Sequence, residues 1–174
     1  MIQKALFGAG CFWGVEEHFR VIYGVIKTEV GYSGGHTKNP TYESVCYENT
    51  DHAEVLLVEF DEDLISYELL VDEFWKCHDP TTLDRQGPDV GRQYRSVIYY
   101  YNDTQKNIAN NSKDRHQKSL QNNIVTEISH VNVFYKAEEY HQKYILKGNS
   151  CSIYSQLIYS LTLFVLVVTL VLIN

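Results

Sequence analysis

The hydrophobic pattern divides the chain into short strand-like runs and longer stretches with helical spacing. Residues 2–8 read as a strand and 11–21 as a helix, with Gly10-Cys11-Phe12-Trp13-Gly14 at the junction. Residues 25–32 carry alternating apolar positions and end at Ser33-Gly34-Gly35, a turn signal. Residues 36–49 are polar and loop-like, with Pro40, Tyr42 and Cys46. Residues 55–60 form an apolar strand preceded by Asp51-His52-Ala53-Glu54, and Ser66 caps a helix to about Cys77. A long loop, 78–94, contains Pro80 and Pro88; irregular stretches of that length inside a domain are usually functional. Residues 95–101 read as a strand, Asp103 caps a polar helix to about Asn122, 126–134 read as a strand and 137–146 as a short helix. The order is β-α-β-β-α-β-α-β-α, a mixed α/β pattern with crossover helices and at least one antiparallel neighbour.

The pattern changes after Lys147. No charged residue occurs from Gly148 to Asn174, and the stretch from Leu157 to Ile173 is almost continuously apolar. A membrane span needs about 20 such residues, with a lower limit near 17. Lys143 and Lys147 precede the stretch, as expected for a cytoplasmic domain with a C-terminal anchor. A buried element, a dimer-forming helix and a coding artefact are the other readings. The expected division is a catalytic domain over 1–147 and a flexible segment with an apolar tail over 148–174.

Composition narrows the function classes. The chain has 174 residues and a formal net charge of −7, with no basic cluster, which argues against nucleic-acid binding. The four cysteines are Cys11, Cys46, Cys77 and Cys151. No signal peptide precedes Cys11, so a reducing cytoplasm is expected, and the sequons at Asn102 and Asn110 read as chance matches. His52, Cys77, His78 and His141 lack metal-ligand spacing, and Gly8-Ala9-Gly10 lacks the third glycine of a phosphate loop. Neither a metal nor an organic cofactor is expected.

Cys11 stands where a strand meets a helix, beside unpaired backbone N–H groups and the positive end of the helix dipole. That setting lowers a thiol's pKa; a buried structural cysteine is the alternative. Glu54, if half-buried at a strand start, would have its pKa raised by desolvation and serve as a general acid; an exposed glutamate is the alternative. Tyr42 and Tyr94 lie in loops and would present phenols to a ligand or cap the core. Phe12 and Trp13 would wall a small apolar pocket or pack in the core.

Gly10-Cys11-Phe12-Trp13-Gly14, Gly31-Tyr32-Ser33-Gly34-Gly35, Tyr42-Glu43-Ser44-Val45, His52-Ala53-Glu54, His78-Asp79-Pro80-Thr81-Thr82, Arg85-Gln86-Gly87, Asp89-Val90-Gly91, Gln93-Tyr94-Arg95-Ser96 and Ala137-Glu138-Glu139-Tyr140-His141-Gln142 occur in this order. Together the set resembles the peptide methionine sulfoxide reductase A family, from residue 4 to about 147. The resemblance implies a single two-layer α/β (α+β) domain with a ferredoxin-like core, monomeric, reducing methionine-S-sulfoxide in oxidised proteins and as the free amino acid. It implies that Cys11 attacks the sulfoxide sulfur and that Glu54 protonates the oxygen, with Tyr42 and Tyr94 hydrogen-bonded to it. Phe12 and Trp13 would hold the S-methyl group, and Asp89 would line the pocket. Cys11 would be left as a sulfenic acid, which condenses with a second thiol. Cys151 is the implied resolving cysteine, with thioredoxin as the reductant, although the family's common Asn-Pro-x-Gly-Tyr-Cys approach is absent. Cys46 and Cys77 are expected to be inert. A thiol peroxidase and a non-catalytic module that binds oxidised methionine are the competing classes.

Overall fold

The strand that opens the chain becomes the middle of the sheet. In the computed structural model, which describes residues 1–149, β1 (Ile2–Ala9) lies between β3 (Ala53–Asp61) and β6 (Ser96–Tyr100), antiparallel to both. β2 (Val25–Ser33) is antiparallel to β3, and a two-residue β8 (Tyr135–Lys136) is antiparallel to β2. β7 (Glu127–His130) runs parallel to β6, giving the order β7-β6-β1-β3-β2-β8. The helices are α1 (Phe12–Arg20), α2 (Tyr42–Tyr47), α3 (Tyr67–Lys76) and α4 (Asp103–Gln117). Taken alone, β1-α1-β2-β3-α3-β6 has the spatial order β6-β1-β3-β2, all antiparallel, which is the ferredoxin-like core.

Strand alternation sorts side chains onto two faces. Ala5, Phe7 and Ala9 of β1, Leu56 and Val58 of β3 and Ile98 of β6 meet α1 and α3 in the main core. Phe7 stacks on Phe19 and Phe74, with ring centroids 5.3 Å apart in each pair. Leu6, Val55, Leu57, Val97 and Tyr99 point the other way and are covered by Val131 and Phe134. In α1, Phe12, Val15, Glu16 and Phe19 are buried, one helical stripe against the sheet.

Several elements differ from the sequence expectation. The polar stretch 36–49 contains α2, started by Thr41 and Ser44: the Thr41 side chain accepts from the Ser44 N–H while the Ser44 hydroxyl accepts from the Thr41 N–H. α4 stops at Gln117, whose side-chain amide bonds the Asn122 carbonyl and the Ile124 N–H and ties down the following turn. The strand expected over 126–134 ends at His130, because the chain then leaves the sheet edge to cover its second face. The helix expected over 137–146 is a run of turns, and Lys143 has φ 51°, a left-handed conformation that breaks helical progression. The long loop 78–94 holds a small ladder, β4 (Arg85–Gln86) with β5 (Asp89–Val90), and a 3-10 turn at Arg92–Tyr94. Cys151 and the stretch from Leu157 to Ile173 lie outside the described residues. Among the described residues no helix is long and apolar enough to cross a membrane.

Candidate active site

β1 delivers the chain to the start of α1 through Gly10, whose φ is 91°. A Cβ there would sit 2.7 Å from the Gln86 side chain, so glycine is needed for both backbone and space. Gln86 is pinned in turn by its amide, which accepts from the Asp79 N–H at 3.1 Å and donates to the Asp79 carbonyl at 2.9 Å. The next residue, Cys11, is the N-cap of α1 and is partly exposed. Its side chain makes no capping hydrogen bond. The cysteine therefore stands at the positive end of the helix, beside N–H groups that have no partner within it.

A carboxylate fills that end. Glu54 is only 1% exposed, and its Oε2 accepts the Phe12 N–H at 3.0 Å. It is the second residue of β3, directly across from Tyr32 in the β2–β3 ladder. The exposed-glutamate alternative is thereby excluded. Tyr42 opens α2 and Tyr94 closes the 3-10 turn, and both are half-buried. Burial pushes both phenols up, and the charge of Glu54 adds to the shift in each. Tyr42 also feels Cys11, and Tyr94 feels Asp89. Asp89, on β5, is half-buried and its carboxyl is raised by desolvation. Four separate stretches thus bring thiol, buried carboxyl and two protonated phenols into one electrostatic neighbourhood.

The aromatic pair behind Cys11 divides into two roles. Phe12 is 1% exposed and packs against Tyr32 and His141, at centroid distances of 5.9 and 5.2 Å. Trp13 is half-buried and stacks flat on Tyr144, with centroids 3.8 Å apart and planes 8° apart. The Trp13 Nε1–H donates to His141 Nδ1 at 3.0 Å.

The segment expected to be a helix supplies most of what the sequence missed. Glu138 Oε1 accepts the Tyr42 N–H at 2.9 Å, and its Oε2 accepts the Tyr32 hydroxyl at 3.0 Å. Burial opposes the charge on Glu138, yet these hydrogen bonds hold its carboxyl below the usual range. Gln142 Oε1 accepts the Val30 N–H while its Nε2 donates to the Val30 and Ala137 carbonyls, each at 2.9 Å. Glu16, buried in α1, accepts from the Thr28 hydroxyl and the Lys143 N–H. Ala137 to Gln142 is one of the motifs that carry the resemblance, which implies no role for its residues; its local signal is only polar side chains at irregular spacing.

Cys46, four residues after Tyr42 on α2, shares a side-chain hydrogen bond with the Tyr42 phenol. It belongs to the same neighbourhood, which spacing did not reveal, though burial raises its thiol and disfavours the thiolate. Cys77 closes α3 with its thiol on the Phe74 carbonyl, pushed up to about 12 by burial. His52 is 2% exposed; it accepts the Gly35 N–H and donates to the Thr37 carbonyl, which fixes the turn after β2. Arg95 is 3% exposed and bonds Glu127, the Arg92 and Asp51 carbonyls and the Tyr99 hydroxyl, holding the turn that carries Tyr94. Among the described residues no three His, Cys, Asp or Glu side chains gather as a metal site.

The chain is similar to known proteins over most of its length. The family model described as peptide methionine sulfoxide reductase matches residues 3–163. The chain is 60% identical over 148 residues to the peptide methionine sulfoxide reductase MsrA of Methanosarcina mazei, covering 84% of this chain and 70% of that protein. Among solved structures, methionine sulfoxide reductase A of Corynebacterium diphtheriae superposes with a TM-score of 0.84 at 34% identity, covering 87% of this chain and 78% of that one. Mxr1 of Saccharomyces cerevisiae in complex with Trx2 superposes with a TM-score of 0.60 at 28% identity, covering 86% of each chain.

Proposed function

The chain belongs to the peptide methionine sulfoxide reductase family, and on that premise we propose how it works: it reduces methionine-S-sulfoxide, free or in oxidised proteins, through a Cys11 sulfenic acid. The Cys11 thiolate attacks the sulfoxide sulfur, and negative charge develops on the sulfoxide oxygen. Glu54 delivers a proton to that oxygen while the Tyr42 and Tyr94 phenols donate hydrogen bonds to it, stabilising charge where it forms. Phe12 and Trp13 hold the S-methyl group, and Asp89 lines the same pocket. Oxygen passes to Cys11, methionine leaves, and the thiol has become a sulfenic acid. The observation that carries this reading is the buried Glu54 carboxyl on the first N–H of α1, one residue beyond Cys11.

Recycling needs a second thiol. Cys151 condenses with the sulfenic acid, releasing water and forming a disulfide, and a thioredoxin dithiol reduces that disulfide. The complex between yeast Mxr1 and Trx2 supports the choice of reductant. In this reading residues 1–147 are the catalytic unit, monomeric and placed in a reducing cytoplasm, with no metal or organic cofactor. The remaining 148–174 segment carries the resolving thiol, and the stretch from Leu157 to Ile173 is its anchor, a reading that rests on the sequence alone.

A steady-state assay with the two resolved sulfoxide epimers and thioredoxin tests the reaction. Turnover of the S epimer alone is expected; turnover of hydrogen peroxide with neither epimer reduced would assign a peroxidase instead. In the same assay, Cys151→Ser is expected to keep the first turnover and lose thioredoxin-driven recycling. Unchanged recycling would exclude Cys151 as the resolving thiol.

A further inference from the structure

His141 is a buried titratable group that the reaction scheme does not use. It is 1% exposed and enclosed by four rings: Phe12, Trp13, Tyr42 and Tyr140, with centroids 5.2, 5.5, 4.6 and 4.1 Å away. Its Nδ1 accepts the Trp13 indole N–H at 3.0 Å. An indole N–H only donates, so Nδ1 carries no proton and the ring proton sits on Nε2. Among the described residues Nε2 has no hydrogen-bond partner, and Glu138 Oε2 lies 4.0 Å from it. Both oxygens of Glu138 are already engaged, one by the Tyr42 N–H and one by the Tyr32 hydroxyl.

We propose that neutral His141 is a positioning residue, which fixes the Trp13 indole for the substrate's methyl group and lets go of it when the imidazole becomes protonated. Protonation fills Nδ1, setting a second N–H against the indole N–H, and the contact turns from attraction to repulsion. His141 also lies on Tyr42, so one imidazole braces the ring assigned to the methyl group and the ring assigned to the oxygen. The proposal rests on the assignment of Trp13 to the methyl group.

Burial keeps the imidazole below its ordinary value and Glu138 acts in the opposite sense, with burial prevailing. The neutral form therefore holds Trp13 at pH 7, and the contact is lost only as pH falls below the ordinary histidine range. The groups facing His141 are few. α1 contributes Phe12 and Trp13, which do not titrate. α2 contributes Tyr42, with Cys46 beside it, and the last turns contribute Tyr140 and Glu138 with Tyr32 behind it. The three phenols are raised above their ordinary value and stay protonated in acid. Glu138 is held below its own range by the hydrogen bonds it accepts from the Tyr42 N–H and the Tyr32 hydroxyl.

The test combines kinetics with fluorescence in the full chain. The chain has two tryptophans, so a Trp75→Phe background leaves Trp13 as the sole reporter. Acidification from pH 7.5 to below the ordinary histidine range is expected to shift the Trp13 emission in one step and to raise KM for methionine sulfoxide, with kcat changing less. His141→Asn retains an acceptor near Nδ1 and cannot titrate, so it should keep a low KM and lose both the emission step and the KM rise. His141→Phe leaves the indole N–H without an acceptor and should raise KM about tenfold at pH 7, which converts to about 1.4 kcal/mol, the usual cost of such a loss. An emission of Trp13 that ignores pH overturns the proposal, as does a KM that rises equally in His141→Asn. If the unaltered protein reduced no sulfoxide, the function reading would fail, while the emission step would still report the His141–Trp13 contact.

Discussion

Glu54, the proposed acid, is held out of water. At 1% exposure, with one oxygen on the Phe12 N–H, it has little access to bulk solvent and sits at the start of the helix that carries Cys11. Glu54→Gln preserves shape and removes the proton. Single-turnover sulfenic acid formation is expected to fall about 10²- to 10⁴-fold, the usual contribution of a general acid, with substrate affinity nearly unchanged. Rapid-quench measurement of methionine release checks this, and an unaltered rate would remove Glu54 from the proton transfer. Cys11, Glu54, Tyr42 and Tyr94 could be singled out in the sequence because each lies in a short motif that carries the family resemblance; their local signals alone left a structural alternative open for each. No role could be read for Glu138 and His141. Their partners lie 96 and 128 residues away along the chain, so what they do follows from packing and not from neighbouring sequence.

At the scale of elements, the junction from β1 to α1 is the most constrained segment. Gly10→Ala would force a side chain into a left-handed backbone, costing about 1–2 kcal/mol, and press its Cβ against Gln86. Because Gln86 holds the loop bearing Asp89 and Tyr94, the loss of activity should exceed the loss of stability. Thermal melts and single-turnover rates on the same variant separate the two, and a variant that melts early but reacts normally would disconnect this junction from catalysis. The sequence revealed β1, α1, β2, β3 and α3 to within a few residues, since each has a clear apolar period. It hid α2, where six residues depend on the Thr41–Ser44 cap rather than on an apolar stripe. It reads as a short helix over 137–146, and the left-handed Lys143, with Glu138 and Gln142 bonding to other elements, prevents one.

Across the whole molecule, the β-α-β-β-α-β rhythm was readable, whereas the order β6-β1-β3-β2 became visible only through pairing. Truncation after Ser152 keeps Cys151 and removes the apolar stretch. It is expected to give a soluble enzyme with normal recycling, as judged by gel filtration and thioredoxin-coupled turnover. Aggregation of that fragment would place the stretch in the fold and end the anchor reading. The Gln142 amide has a further consequence, for the company the sheet can keep. An open antiparallel edge is a template for any extended polypeptide, and unfolded clients with damaged methionines are rich in such segments. At Val30 that template is already occupied, because one side-chain amide satisfies both the N–H and the carbonyl as a neighbouring strand would. β8 covers Gly31 and Tyr32, and the charged pair Lys27 and Glu29 flanks the rest. Among the described residues, this border therefore leaves little backbone open for another extended chain to pair with.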